Sequence, residues 1–379
     1  MDNLDPQSLE QLMTRLGRAL SEGHIEADQR GEFSTRNWAL LRDSGLLGLL
    51  LDPRYGGLAQ SLPTAVRALE SLGRSCLDSG TSFAAVTHMV SVGIPVQRFG
   101  AEALRERFLP RLCSGALIGA PAITEAHAGS DAFAMHTRAT RRDGVYVLRG
   151  SKTFISNGPV ADLFVVYALT DPERGALGGA SAFLLERGTP GFSIGKPIAK
   201  MGLRTAPLCE LFFDDCEIPE GQLLGEAGIG YPILDYVMKR EILLSFAASL
   251  GTMQRRLNKC VEYARSRKQF GRPIAQYQAI SHKLVNMRIG VEIGRNSLYR
   301  TAERIEAGEN ASLDVALTKL LISEQNLSSA LHAVQIFGGH GYMVEHGLEK
   351  DLRDAVGGTL YSGTSEIQRE RIARLMGLG

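Results

Sequence analysis

Several short stretches of this chain bring hydroxyl, cationic and glycine residues together at spacings that could do chemistry. In Ala122-Ile123-Thr124-Glu125-Ala126-His127-Ala128-Gly129-Ser130-Asp131, the small residues around Gly129 let a ligand approach the backbone, and Thr124 and Ser130 offer hydroxyls beside free amides. The same composition also suits a turn at the entrance to a β region. In Lys152-Thr153-Phe154-Ile155-Ser156-Asn157-Gly158, the Phe154 ring could cover a flat cofactor and Ser156 could donate to it; an ordinary strand end reads the same way. Arg265-Ser266-Arg267-Lys268-Gln269-Phe270-Gly271-Arg272-Pro273-Ile274 sets a basic cluster where a helical pattern breaks. Such cations either complement the helix macrodipole or clamp a diphosphate bidentately. Val334-Gln335-Ile336-Phe337-Gly338-Gly339-His340-Gly341-Tyr342 runs a helix into glycines, which by itself is a C-cap.

Composition narrows the classes of function. The chain of 379 residues suits two or three packed domains, and its 44% apolar and 22% charged residues are ordinary for a soluble globular protein. A net charge of +1 supplies no basic excess for nucleic acid. No apolar run reaches about 18 residues, so no transmembrane helix is expected. The start, Met1-Asp2-Asn3-Leu4-Asp5-Pro6, lacks a basic segment followed by an apolar core, so no secretory signal is expected. Cys76, Cys113, Cys209, Cys216 and Cys260 are scattered and show no CxxC spacing, which predicts a reduced, cytoplasmic protein without a disulfide framework or metal site. His340 and His346 stand outside any HExxH pair and are not expected to bind metal.

The elements that must position these stretches follow from periodicity. Leu9, Leu12, Met13, Leu16 and Leu20 recur at three- and four-residue steps, and Trp38 and Leu41 continue that spacing in a second segment. A loop follows Leu51 at Pro53 and Gly56-Gly57. Helices are predicted over Ser61–Leu72 and Thr81–Val92, the second largely apolar and buried on several faces. From about Pro121 the period changes: Gly144–Leu148, Leu163–Leu169, Ala182–Leu185 and Glu210–Phe213 read as short strands of an antiparallel sandwich or barrel. After Gly228-Ile229-Gly230, long helices are predicted over Tyr236–Ala264, Ala279–Ala307 and Leu313–Phe337, forming an antiparallel bundle. The expected domains are residues 1–120, helical; 121–228, β; and 229–379, a helical bundle.

Taken together and in this order, Ile123-Thr124-Glu125 with Ala128-Gly129-Ser130-Asp131, Phe154-Ile155-Ser156-Asn157-Gly158, Arg267-Lys268-Gln269-Phe270-Gly271, Gln335–Tyr342 and Tyr361-Ser362-Gly363-Thr364-Ser365-Glu366-Ile367-Gln368 resemble the acyl-CoA dehydrogenase superfamily along nearly the whole chain. The resemblance implies an α+β fold with a helical N-terminal domain, a central antiparallel β domain and a C-terminal four-helix bundle. It implies one FAD per subunit and a homotetramer built as a dimer of dimers. Carried over residue by residue, Ile123, Thr124, Gly129 and Ser130 would contact the isoalloxazine and phosphates. Phe154 would flank the ring in place of the usual Trp, and Ser156 would face the flavin N5 in place of a Thr. Arg267, Gln269, Phe270, Gln335 and Gly339 would reach the diphosphate and adenine side of a neighbouring subunit's FAD, and Thr364 and Glu366 would complete the pocket.

Family chemistry removes a Cα proton while hydride leaves Cβ, so it needs a positioned, partly desolvated carboxylate. Many members carry that glutamate where this chain has Ser362, whose lone hydroxyl is far too weak a base; its backbone amide could still donate to the thioester carbonyl. Other members place the glutamate on the first bundle helix, and Glu241 falls on that position, counting back from Gly251. It is the only carboxylate between Asp235 and Glu262. As an ordinary helix residue, Glu241 would be solvated and paired with Lys239 or Arg240. Ile242 follows it where relatives usually have Arg.

Tyr167–Gly178, Phe212-Phe213-Asp214-Asp215-Cys216 and the Ser362-Gly363-Thr364 ending look like the prolyl-carrier-protein dehydrogenases of pyrrole-forming natural-product pathways. That branch implies a peptidyl carrier protein bearing a phosphopantetheine thioester as substrate. Arg240, Arg255, Arg256 and Lys259 could form a basic docking face for it or simply a solvated helix face. A short branched acyl-CoA, a hydroxyacyl or seryl carrier thioester, or a catalytically silent flavin-binding scaffold are the other readings. Electrons would pass to an electron-transfer flavoprotein or O2.

Overall fold

The structure, a computed structural model, describes residues 5–132 and 134–378; the expected N-terminal domain's first four residues, Phe133 and Gly379 lie outside the described residues. The N-terminal third folds as α1 (Pro6–Leu20), α2 (His24–Arg30), α3 (Thr35–Asp43), α4 (Leu62–Ser75), α5 (Ser79–His88), α6 (Ile94–Phe99) and α7 (Glu102–Cys113). The predicted face of α1 is the buried one: Leu9, Met13, Leu16 and Leu20 enter the core, at about 2 kcal/mol for each fully buried side chain. Asp5 caps this helix by accepting from the amides of Gln7 and Ser8. Ser61, predicted inside α4, is instead its N-cap, accepting from the Thr64 amide. The apolar segment predicted over Thr81–Val92 is α5 followed by one turn of π-helix over Met89–Gly93, buried except at Phe83.

Strands β1 (Gly119–Ala122), β2 (Arg138–Arg142), β3 (Val145–Ser156), β4 (Leu163–Leu169), β5 (Ala180–Glu186), β6 (Phe192–Ile194), β7 (Leu208–Pro219) and β8 (Leu223–Leu224) form one sheet in the order 6-7-3-2-4-5-8, with β1 paired to β4. The sheet is mixed rather than purely antiparallel. β1 runs parallel to β4 from Gly119↔Leu163 to Ala122↔Val166, and Arg138 pairs in parallel with Leu169. The direction of β1 depends on where α7 delivers the chain, which residue alternation does not encode.

A short α8 (Gly175–Gly178) precedes α9 (Gly230–Ser266); the hairpin strands β9 (Lys268–Gln269) and β10 (Arg272–Pro273) separate α9 from α10 (Gln278–Glu306). The chain then continues as α11 (Ser312–Phe337), α12 (Gly339–Tyr342), α13 (Leu348–Gly358) and α14 (Ser365–Leu375). Helix α9 crosses α4 at glycine-width separation. A Cβ on Gly73 would lie 2.0 Å from the Ala248 carbonyl oxygen, and one on Gly251 would lie 2.0 Å from that of Glu70. This close crossing sets the position of α9, on which the candidate base stands. Among the described residues, no helix is long and apolar enough to cross a membrane.

Candidate active site

Glu241 lies on α9 with only 6% of its surface exposed. The solvated pairing open to it in the sequence does not form: Lys239 pairs with Asp235 at 2.6 Å, and Arg240 stacks 3.5 Å from the Tyr236 ring. Two hydroxyls hold the carboxylate instead. Ser245, one turn on, donates to Oε1 at 2.9 Å, and Ser362, 121 residues away in sequence, donates to Oε2 at 2.6 Å. Burial pushes the Glu241 carboxyl upward from its ordinary range, while the bonds from Ser362 and Ser245 and the charge of Lys319 act in the opposite direction. A desolvated carboxylate held in this way is equipped to accept a proton from carbon.

Ser362 sits in a turn with φ 56°, a left-handed conformation that is uncommon outside glycine. The turn is fastened from both sides: Gln368 donates from Nε2 to the Ser362 carbonyl at 2.9 Å, and the Thr364 hydroxyl caps α14 by accepting from the Ile367 amide. The Ser362 N–H makes no hydrogen bond to another described residue, which leaves it available to an incoming carbonyl. Glu366 lies exposed in the first turn of α14.

A cavity of about 40 Å³ is bordered by Ser245, the partner of Glu241, with Phe83, Ser249 and Tyr361, and reaches Arg256 along α9. It has room for roughly three waters. Its far end removes Arg256 from the basic docking face. Arg256 is buried and donates to the Asn326 carbonyl at 3.2 Å, Arg255 pairs with Asp351 at 3.0 Å, and Lys259 donates to the His346 carbonyl at 2.6 Å. Arg256 and Arg255 are drawn toward the bundle by the Asn326 carbonyl on α11 and the Asp351 carboxylate on α13, whereas Lys259 stays exposed and bonds along the surface.

The two glycine- and hydroxyl-bearing stretches of the β region lie side by side. The Thr153 amide donates to the Thr124 carbonyl at 2.9 Å, and the buried Lys152 ammonium reaches Glu125 at 2.8 Å and the Ile123 carbonyl at 2.9 Å. Although burial would raise the Glu125 carboxyl, Lys152, Thr137 and the His136 amide outweigh it and hold it well below the usual carboxylate range. This buried rivet fixes a surface on which Phe154, with φ 57°, stands 60% exposed. The Ser130 and Ser156 hydroxyls bond to no other described residue, and nothing lies within 4 Å of the position a Gly129 Cβ would take. Asn157, in the same stretch, is a structural tie: its Nδ2 donates to the Ala84 and Gly119 carbonyls at 2.9 and 3.2 Å.

A separate groove of about 750 Å³ is bordered by Arg267, Gln269, Phe270 and Gly339. Gln335 is exposed on the last turn of α11 beside it, and Phe270 is 93% exposed with φ 49°. The aromatic ledge with its free hydroxyls and the groove bordered by Arg267 are two separate surfaces of the subunit. Sequence reasoning missed Ser245, Lys319, the Ser362 hydroxyl and the Glu125–Lys152 pair. Of these only Ser245 left a local signal, its i, i+4 spacing from Glu241.

The chain matches the family models for the acyl-CoA dehydrogenase N-terminal domain over residues 11–116, middle domain over 120–216 and C-terminal domain over 228–377. It is 43% identical, over 90% of both chains, to L-prolyl-[peptidyl-carrier protein] dehydrogenase of Pseudomonas fluorescens. Among solved structures, it is similar to the prolyl acyl carrier protein oxidase AnaB, with a TM-score of 0.96 at 38% identity, covering 98% of this chain and 99% of that one. It is also similar to PigA with FAD and proline, with a TM-score of 0.96 at 35% identity, covering 100% of this chain and 99% of that one.

Proposed function

The chain belongs to the acyl-CoA dehydrogenase family, and from that premise we propose FAD-dependent dehydrogenation of a prolyl thioester carried on a peptidyl carrier protein. The observation that carries this reading is the buried Glu241 carboxylate, bonded by Ser245 and Ser362 beside a cavity of about 40 Å³. A cavity of that size favours a short acyl group over a fatty chain, and the similarity to prolyl-carrier enzymes supports the aminoacyl choice.

Bound FAD supplies the two-electron acceptor, with Ile123, Thr124, Gly129, Ser130, Phe154 and Ser156 holding the ring end and Arg267, Gln269, Phe270, Gln335 and Gly339 the dinucleotide end from a neighbouring subunit. The Ser362 N–H donates to the thioester carbonyl, draining electron density from Cα and acidifying its proton. Glu241 takes that proton as general base, and its burial keeps the carboxylate basic enough to do so. The partner is a carrier protein, the assembly a homotetramer, and the final acceptor an electron-transfer flavoprotein or O2. The small cavity also suits a short branched acyl-CoA, the second reading.

The test loads a prolyl group onto a carrier protein, adds the FAD-containing enzyme without oxygen and follows bleaching of the oxidised flavin, with intact-mass loss of two or four hydrogens. Bleaching is expected, with a rate loss of about three orders of magnitude or more in Glu241→Gln. Full activity in that variant sinks the base assignment. No bleaching with any carrier-bound or CoA thioester favours a silent scaffold, and bleaching only with branched acyl-CoA establishes the second reading.

A further inference from the structure

Lys319 lies on α11 with its side chain fully enclosed, and its Nζ makes no hydrogen bond. A buried ammonium without a partner is expensive unless a nearby anion offsets the cost. Its Nζ lies 5.8 Å from the centroid of the Phe246 ring, and that ring packs 5.6 Å from Tyr361. Phe246 follows Ser245 in the chain and Tyr361 precedes Ser362, so the aromatic pair beside the lysine adjoins both residues that hold the Glu241 carboxylate.

The charges around this group single out one partner. Glu241, Glu366 and Glu324 act on Lys319. Glu324 pairs with Arg369 at 2.6 Å, and Glu366 is exposed, so Glu241 is the buried anion of the three. From the other side, Lys319 is the cation acting on Glu241. Other ionisable groups on nearby elements have partners of their own: Glu70 of α4 pairs with Arg295, Asp354 of α13 with Lys350, Asp351 of α13 with Arg255 and Arg256, and burial keeps the Tyr361 phenol neutral. On the same seam, the buried Gln368 Oε1 and Ser365 Oγ lack partners, while Gln368 Nε2 holds the Ser362 carbonyl.

We propose that Lys319 is a positioning residue for the base, its unpaired ammonium set against Phe246 so that Glu241 stays ionised in a site closed to water. Burial pulls the Lys319 ammonium down to about 8, which still leaves it protonated at neutral pH. The inference rests on Glu241 being the base.

The test compares FAD-loaded wild-type enzyme with Lys319→Met and Lys319→Arg. In Lys319→Met, the acid limb of the kcat/KM profile is expected to move up by about one pH unit, a roughly tenfold loss on the acid side of the wild-type limb that is recovered above the new one. Lys319→Arg should stay close to wild type. Infrared titration, with the Glu241 band assigned by its loss in Glu241→Gln, should show the carboxyl midpoint rising in Lys319→Met. An unmoved limb and midpoint overturn the proposal. If Lys319→Met does not fold, the wild-type band decides: a carboxylate at neutral pH supports the proposal, and a protonated acid overturns it. An inactive Glu241→Gln beside an unmoved Lys319→Met leaves the base assignment standing and removes only Lys319's role; a fully active Glu241→Gln removes the base assignment itself.

Discussion

Replacing Ser362 with alanine isolates the contact that joins the two ends of the candidate active site. The substitution deletes the hydroxyl that donates to Glu241 Oε2 at 2.6 Å and leaves the backbone amide in place. Glu241 is 6% exposed, so solvent screens the lost bond little. A hydrogen bond to a charged group contributes about 1.5–3 kcal/mol, which corresponds to an upward shift of roughly one to two pKa units in the carboxyl. A base works only when ionised, so the sign follows directly. The acid limb of kcat/KM moves to higher pH, the loss is greatest on the acid side, and it shrinks as pH rises through the new value. On the acid side of the wild-type limb the expected loss is about 10- to 100-fold. The assay is the anaerobic half-reaction with prolyl-carrier substrate, followed by flavin bleaching at a series of pH values. Ser362→Gly provides an internal check. It removes the same hydroxyl but relieves the left-handed φ of 56°, so it should show the same limb shift with about 1 kcal/mol of added stability. A loss uniform across pH, or no loss, would refute the claim that the hydroxyl tunes the base.

Lys152→Met leaves the Glu125 carboxylate buried without its cation and should cost about 3–5 kcal/mol, measured by denaturant unfolding, with loss of bound FAD before global unfolding. The wild-type pair carries a pH signature: because the folded Glu125 carboxyl is depressed, its contribution is present above the unfolded carboxylate range and disappears as acid protonates it, so the gap between the two proteins should narrow toward low pH. Gly73→Ala places a Cβ 2.0 Å from the Ala248 carbonyl oxygen and should destabilise by about 3 kcal/mol, with lower kcat because Ala248 borders the cavity on the helix that carries Glu241; wild-type Tm and turnover would refute that reading of the helix crossing.

The sequence by itself determined the order of helical, β and helical regions, because period-3.6 and period-2 patterns are local and each reports the face an element buries. Leu9, Met13, Leu16 and Leu20 needed no tertiary information to be assigned to a core. Motif strings carried the family, and counting from Gly251 located Glu241. What only the tertiary structure decided is the partner of each polar group. As an ordinary helix residue Glu241 read as solvated and paired with Lys239 or Arg240, yet packing of α9 against α4 and α11 buries it and brings Ser362 to it from 121 positions away. The same packing turned Arg255 and Arg256 inward and left Lys259 exposed, since a cation's direction follows the carbonyls and carboxylates around it rather than its neighbours in the chain. Lys319 carried no local signal. Its enclosure beside the base depends on distances between helices that no single stretch of sequence encodes.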